Sequence, residues 1–314
     1  MKKSLLVVIV GPTAVGKTEI AIEVARKIDA EIISADSMQI YRYMNIGTAK
    51  PTLEEQKGIK HHMIDIINPD EKFSAADFQV RAKECIEKIY SRHKIPLLTG
   101  GTGFYINSIC YNYTFSNAQK DDSFRKLLQK QAGQYGNQYL YKKLQKLDAI
   151  AAKKIHPNNL RRVIRAIEVC VKTGKPFSYY EEKTKKQESQ FDLLMYGLTR
   201  PRDELYQRID ERVNNMINAG LVGEVQKLLN MGYSAKLNSM QGLGYRHIID
   251  YLYGKTTLSE AIYLISRDTR HYAKRQYTWF LRDKNIVWLD ISKEGKEKII
   301  SNIVKNIEGK LKNT

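Results

Sequence analysis

The stretch Gly11-Pro12-Thr13-Ala14-Val15-Gly16-Lys17-Thr18 has the residue types and spacing to hold a phosphate chain. Gly11 and Gly16 permit a tight turn and a close ligand approach that a Cβ would obstruct. Successive backbone N–H groups can point into one concavity, and a helix starting there adds partial positive charge. Lys17 supplies a mobile cation, and the Thr18 hydroxyl is placed to hold Mg²⁺. This pattern specifies a phosphate cradle and leaves the reaction open. Most enzymes built on it move a phosphoryl group and hold Mg²⁺ with an Asp that ends a second strand. Here the apolar run Ile95–Thr99 ends in Gly100-Gly101-Thr102, and the nearby carboxylate is Asp36, in Asp36-Ser37-Met38-Gln39. A carboxylate at the mouth of a phosphate site can bind magnesium through water, act as a general base, or simply cap a turn. Thr102 and Gln39 suit hydrogen bonding to the edge of a base or to an amine. A nucleoside acceptor follows from these residues; the donor does not.

These groups need elements to position them. The apolar run Leu5–Val10 before the cradle and the helical pattern at Lys17–Ile28 after it give strand, glycine turn, helix, the context the cradle requires. Glu31–Ala35 is a second buried-strand pattern, and Gly47-Thr48-Ala49-Lys50-Pro51 is a loop. Ser74-Ala75-Ala76-Asp77 is a capping box for a helix running to about His93, before the Ile95–Thr99 strand. Strands alternating with helices predict a parallel sheet covered on both faces, with ligands at the carboxyl ends of its strands. The cradle, Asp36–Gln39 and Gly100–Thr102 should therefore meet in one crevice. Leu193–Leu198 reads as a strand returning to that sheet. A helix at about Arg202–Ala219 carries Arg208 and Arg212, and a long helix spans about Leu258–Leu281. A strand at Ile286–Leu289 and a mixed-charge helix close the fold.

The chain of 314 residues carries 52 Lys and Arg against 34 Asp and Glu, a net charge of +18 that favours a polyanionic partner. The positive charge is concentrated. Lys120–Glu188 holds 17 basic and 7 acidic residues in a pattern that is helical throughout. We take 117–191 as an inserted all-helical domain, with 1–116 and 192–314 forming the α/β core. In the insert, the predicted helix Asn159–Lys172 puts Leu160, Val163, Ile164, Ile167 and Val171 on one face and Arg161, Arg162 and Arg165 on the other. Arginines together, rather than a Lys/Glu mixture, point to phosphate contact. On the long C-terminal helix, Tyr263, Arg267, Arg270, His271, Lys274 and Thr278 share one face, with Arg275 on its flank. The three cysteines lack metal spacing, the apolar N-terminal run is too short for a signal sequence, and no run reaches membrane-spanning length. A reducing cytoplasm and no membrane partner are the expectation.

In seven motifs spread along the chain, the sequence resembles the bacterial tRNA dimethylallyltransferase (tRNA isopentenyltransferase) family. They are GPTAVGKT at Gly11–Thr18, SADSMQIYR at Ser34–Arg42, GTAKP at Gly47–Pro51, HHMID at His61–Asp65, GGTGFY at Gly100–Tyr105, HPNNLRRVIRAIE at His156–Glu168 and TRHYAKRQYTWF at Thr269–Phe280. One departure is Gly242-Leu243-Gly244-Tyr245-Arg246-His247, where the family usually shows isoleucine-glycine-tyrosine-lysine-glutamate. The zinc-finger extension of eukaryotic relatives is absent from this sequence. The resemblance implies a P-loop NTPase-like core and transfer of a dimethylallyl group from its diphosphate to the exocyclic N6 amine of the adenine just 3′ of the tRNA anticodon, releasing diphosphate. It implies Mg²⁺ at Thr18, Lys17 and the turn amides on the diphosphate, and Arg212 or Arg208 as a further clamp, Arg212 being preferred. Asp36 would accept the amine proton and Thr102 would hold the amine in line. Ser37, Met38 and Gln39 would read the loop. Arg125 and the stretch Arg161-Arg162-Val163-Ile164-Arg165 would grip the anticodon arm with Arg267, Arg270, Lys274 and Arg275. A monomer is expected. The rival readings are a kinase of a nucleoside or nucleic-acid end, a prenyltransferase acting on free AMP or ATP, and a non-enzymatic RNA-binding module.

Overall fold

The computed structural model describes residues 3–185 and 188–312. The outer ends of the expected core domain, Met1 and Thr314, therefore lie outside the described residues, as do Lys186 and Gln187 of the expected insert. The chain forms two compact units, one of residues 1–109 with 191–314 and one of residues 110–190. The second unit begins earlier than the expected 117, because the extended segment before its first helix is tied to it: Thr114 N–H donates to Thr184 Oγ1 at 3.0 Å.

In the larger unit, β1 (Ser4–Val10) runs into the glycine turn and α1 (Lys17–Lys27), followed by β2 (Ala30–Ser34) and the two-residue β3 (His61–His62). Next come α2 (Ala75–Tyr90), β4 (Ile95–Gly100) and α3 (Gly103–Cys110), whose last residue falls in the smaller unit. The sheet among the described residues is six-stranded in the order β3-β2-β4-β1-β5-β6, with β5 at Phe191–Thr199 and β6 at Ile286–Asp290. Its neighbours are parallel throughout. β1 is buried from Leu5 to Val10, as expected of a central parallel strand covered on both faces. Because β4 lies between β2 and β1, the loops that follow these three strands are neighbours at one sheet edge. That placement brings the glycine turn, Asp36 and Thr102 together. The predicted capping box exists: Asp77 N–H donates to Ser74 Oγ at 3.2 Å, and Ser74 N–H donates to Asp77 Oδ2 at 2.8 Å.

The smaller unit is all-helical among its described residues: α4 (Asp122–Tyr135), α5 (Asn137–Leu147), α6 (Ala149–Lys154), α7 (Leu160–Thr173) and α8 (Phe177–Lys185). Its core gathers Leu128, Leu140, Leu144, Val163, Ile164 and Ile167. α7 is capped by Asn159 and ends at Gly174 in the left-handed conformation. The larger unit continues after β5 with α9 (Arg202–Asn218), α10 (Leu221–Asn230), α11 (Tyr245–Leu252) and α12 (Leu258–Phe280). α13 (Ile291–Glu294) and α14 (Lys296–Lys312) follow β6. A second cluster joins α9–α12 to Ile40, Met44 and Ile67, so the loops after β2 rest on these helices.

The smaller unit is built around a buried charge. Glu168, with no exposed surface, accepts bonds from Arg125 Nε at 2.8 Å and Nη2 at 2.6 Å, from Arg165 Nη1 at 2.6 Å and from Asp121 N–H at 2.9 Å. Burial works to raise its pKa, but these hydrogen bonds outweigh it and hold the carboxyl below the usual carboxylate range. Its contribution to stability is therefore complete above the ordinary Glu pKa and is lost as pH falls through the lower folded value. Glu168→Ala should cost about 2–3 kcal/mol at neutral pH, below the about 3–5 kcal/mol of a broken fully buried pair because the arginines are partly solvated. Urea unfolding of the variant should show this deficit shrinking in acid.

Candidate active site

The glycine turn is shaped by three non-extended residues, Gly11 at φ 150°, Ala14 at φ 63° and Gly16 at φ 108°. At Gly11 an added Cβ would lie 2.7 Å from the Leu198 carbonyl oxygen, so only glycine allows β1 and β5 to close there. The turn is held from outside. Arg208 Nε donates to the Ala14 carbonyl at 3.0 Å, and Arg200 Nε donates to the Val15 carbonyl at 3.0 Å. With these carbonyls anchored, the amides at the start of α1 keep the unsatisfied donors that any helix N-terminus leaves. Arg200 is itself braced by Glu204, which also accepts from Ser292.

Ala14, Lys17 and Thr18 from the turn, Asp36 from the loop after β2, and Arg208 and Arg212 from α9 line one cavity of about 820 Å³. Lys17 Nζ donates to the Pro12 carbonyl at 2.7 Å. Burial and then the Arg212 charge pull its pKa down to about 7, with Asp36 acting the other way. Arg212 is pulled down chiefly by burial and also by Arg208, while Asp36 and Glu55 support its charge. The cavity lining carries both signs of charge, Lys17, Lys50, Lys57, Arg208 and Arg212 with Glu19, Glu23, Asp36, Glu55 and Glu211, and the cations Lys17, Arg208 and Arg212 come from the turn and from α9.

Asp36 serves the turn as well as the cavity. Its Oδ1 accepts from Met38 N–H at 2.8 Å and Gln39 N–H at 3.4 Å, so the cap role is real. Oδ2 has no hydrogen bond among the described residues. Thr102 sits beside this loop: its Oγ1 accepts from Ser37 N–H at 3.0 Å and donates to Ser37 Oγ at 3.3 Å, and its N–H donates to the Ala35 carbonyl at 3.1 Å. A Cβ at Gly100 would lie 2.3 Å from the Ala35 carbonyl oxygen, which is why the loop after β4 can lie so close to the loop after β2. Met38 packs beneath Gly242, where a Cβ would meet its Cε at 2.4 Å.

Several side chains singled out for RNA contact have other work. Gln39 accepts from Ser34 Oγ at 2.9 Å and donates to the Ala49 carbonyl at 3.2 Å, so both ends of its amide are engaged within the protein. Val163 and Ile164 are core residues, 0% and 4% exposed, and cannot offer side chains to a ligand. Arg125 and Arg165 enclose Glu168, and Arg162 pairs with Glu181 at 3.1 Å. Arg270 pairs with Asp210 at 2.6 Å and Arg267 with Asp268 at 2.8 Å. Arg161, Lys274 and Arg275 are exposed. The stripe on α12 is therefore partly neutralised by acids from its own and neighbouring helices, which one-helix spacing does not reveal.

Sequence reasoning missed Arg200, Tyr272 and Gln276. Tyr272 lines the cavity, and burial, then the nearby Asp36 charge, push its pKa up to about 12. Gln276 occupies the buried row Ala273, Gln276, Phe280 of α12. A polar residue in an apolar helical row demands buried partners, and that was the available signal.

The IPP transferase family profile matches residues 39–284, most of the chain. A tRNA dimethylallyltransferase of Carboxydothermus hydrogenoformans is 54% identical over 299 residues, covering 95% of this chain and 96% of that protein. One of Alkaliphilus metalliredigens is 52% identical, covering 98% of each. Among solved structures, the full-length tRNA isopentenylpyrophosphate transferase of Bacillus halodurans is 45% identical, with a TM-score of 0.74 over 99% of this chain and 98% of its own. A eukaryotic dimethylallyltransferase captured acting on tRNA is 31% identical, with a TM-score of 0.78, covering 91% of this chain and 74% of its own.

A lysine that loses its proton near neutrality should be recharged by an incoming anion. Inorganic pyrophosphate binding should therefore take up protons above about pH 7 and little below it. Calorimetry in buffers of different ionisation enthalpy reads this directly, and Lys17→Met should abolish the uptake.

Proposed function

The chain belongs to the IPP transferase family, and from that premise we propose that it moves a dimethylallyl group from dimethylallyl diphosphate to the exocyclic N6 amine of the adenine directly 3′ of the tRNA anticodon. One observation carries the assignment of roles: the cradle residues Lys17 and Thr18 line the same cavity as the carboxylate of Asp36. The nitrogen attacks C1 of the dimethylallyl group, the C1–O bond breaks, and the electron pair leaves on diphosphate. The amine proton passes to Asp36 Oδ2, since Oδ1 is held by the turn. Lys17, Arg212 and the turn amides stabilise the charge that grows on the departing oxygen. Arg208 braces Ala14 and lines the cavity, which leaves Arg212 as the freer clamp. Thr102, tied to Ser37, keeps the amine aligned.

Thr18 is exposed toward the cavity in the first turn of α1, and no cluster of three His, Cys, Asp or Glu side chains suited to a metal occurs among the described residues. That suits Mg²⁺ held by one hydroxyl, water and diphosphate oxygens rather than by a protein cage. When bound there, the ion would neutralise charge on the leaving diphosphate. For tRNA, the exposed cations Arg161, Lys274 and Arg275 are our candidates for phosphate contact, and extruding the adenine is cheapest from a single-stranded loop. We further propose that the protein works in the cytoplasm; no helix among the described residues is long and apolar enough to cross a membrane.

Mass spectrometry of nucleosides from tRNA incubated with the protein and dimethylallyl diphosphate should show dimethylallyl adenosine. Phosphate transfer from ATP without prenylation would refute the reading. Asp36→Ala should lower turnover by roughly 10²–10⁴-fold with little change in tRNA affinity. Arg161, Lys274 and Arg275 changed together to Gln should flatten the salt dependence of tRNA binding. Arg165→Gln should mainly destabilise the smaller unit, which separates a grip on RNA from a grip on Glu168.

A further inference from the structure

Two side chains of α12, Tyr272 and Gln276, lie one helical turn apart at the cavity. Gln276 is 6% exposed, and both ends of its amide are used. Its Oε1 accepts from Thr13 N–H at 2.8 Å, inside the glycine turn. Its Nε2 donates to the Gly101 carbonyl at 2.9 Å, in the loop that leads to Thr102. Only one amide orientation satisfies both partners, because the flipped amide would set donor against donor and acceptor against acceptor. The fit leaves no slack at Gly101, where an added Cβ would lie 2.1 Å from Nε2. Tyr272, one turn earlier, lines the same cavity, and Thr102 and Gln276 lie near enough to lower its pKa slightly against the larger effect of burial.

We propose that Gln276 is a positioning residue for the transfer: it holds the diphosphate turn and the amine-side loop in one register, so that the donor carbon and the attacking nitrogen meet at bonding distance. This rests on the prenyl-transfer reading above. A buried amide with a different loop on each end is a poor choice for core filling, since an apolar side chain of similar volume would satisfy packing without two desolvated polar bonds. β1 and β4 are paired as far as Val10 and Gly100, and what the amide adds is a link between the two loops beyond that last pair. Gly101 immediately precedes Thr102, and Thr102 accepts from Ser37 beside Asp36. A shift of the Gly101 peptide therefore moves the amine-holding group and the base together, relative to the turn that grips diphosphate. Such a misplacement leaves each half able to bind its substrate and penalises the step in which the halves react.

The test compares wild type with Gln276→Met and Gln276→Glu in single-turnover and steady-state prenyl transfer to tRNA, from about pH 5.5 to about pH 8.5, with rates taken as ratios to wild type at each pH. Gln276→Met should lower kcat by roughly 30–100-fold while each KM stays within about threefold. Gln276→Glu should be as slow at the alkaline end, where a carboxylate can accept from Thr13 but cannot donate to Gly101. Toward acid the protonated side chain regains that donor, and its rate ratio should recover by roughly tenfold, whereas the Met variant should not recover. A Met variant within about threefold of wild-type kcat, a loss confined to KM, or a Glu variant that shows no recovery in acid would each overturn the assignment. Should the Met variant fail to fold, the Glu ratio decides alone. Wild-type turnover run alongside tests the reaction itself: no prenylated adenosine there refutes the function, while product there with unaffected variants refutes only the role of Gln276.

Discussion

A row of backbone amides can face an anion only if the carbonyls that alternate with them are satisfied elsewhere, and this constraint governs the site. Here two guanidinium groups meet it, Arg208 on the Ala14 carbonyl and Arg200 on the Val15 carbonyl. Both arginines follow β5, a strand distant in sequence from the turn but its neighbour in the sheet. The parallel order β4-β1-β5 is thus more than a scaffold: it sets β5 and the start of α9 against the outer side of the turn while β4 and β2 bring Thr102 and Asp36 to the inner side. Anchoring the turn with cations has an electrostatic consequence. Arg208, Arg212 and Lys17 share one cavity, where burial first and the Arg212 charge second pull the Lys17 pKa down to about 7, with Asp36 opposing.

The net charge of +18 is likewise not all available to a partner. Glu168 gathers Arg125 and Arg165, Glu181 takes Lys154 and Arg162, and Asp121 takes Lys172. In the smaller unit, arginine on a helix face turned out to have two uses, and only burial of the acid distinguishes them. An arginine whose acid is buried is a structural member, and losing it leaves an uncompensated charge inside the unit. An arginine on an exposed face without such an acid keeps its hydration and can exchange it for phosphate at little cost. Arg161 is of the second kind, and Val163 and Ile164, its neighbours in sequence, are what fix its helix in place.

Local patterns in the sequence were legible because their causes are local. The apolar run of β1, the capping box of α2 and the glycine that ends α7 all read correctly within a residue or two. The convergence of the turn, Asp36 and Thr102 also followed, since parallel sheets bring loops together at their carboxyl ends. What stayed hidden depended on partners far along the chain. Arg125 and Glu168 are 43 residues apart, and Gln276 and Thr13 are 263 apart, so no periodicity could pair them. β3 was missed for a related reason: a two-residue strand has no alternation to read, and His61–His62 joins the edge only through its pairing with Ile32 and Ile33. Gln39 shows the opposite error, a residue type suited to reading bases whose amide the fold had already used.

Arg246 and His247 on α11 take part in holding another wall of the cavity. Asp268 on α12 accepts from Arg246 Nη2 at 2.5 Å and Arg267 Nε engages its other oxygen at 2.9 Å, with His247 Nε2 at 3.2 Å. Burial works to raise the pKa of Asp268, but hydrogen bonds from Arg267, Arg246 and His247 hold it down to about 2. The carboxylate therefore stays charged and ties α11 to α12 across the working range of pH. On α11, immediately before Arg246 and His247, the partners of Asp268, Tyr245 donates to Glu224 Oε1 at 2.6 Å, and Glu224 accepts the N–H groups of Asn45, Ile46 and Gly47 at 2.9, 2.8 and 3.1 Å. Asn45 and Ile46 line the cavity. One helix, α12, thus meets the cavity from two directions, through Gln276 to the glycine turn and through Asp268, α11 and Glu224 to the far loop. Asp268 thus has two arginine partners, Arg246 from α11 and Arg267 from its own helix, and the wall keeps its anchor. Arg267 belongs to this structural chain, which is why its place on the helix stripe is a poor guide to RNA contact.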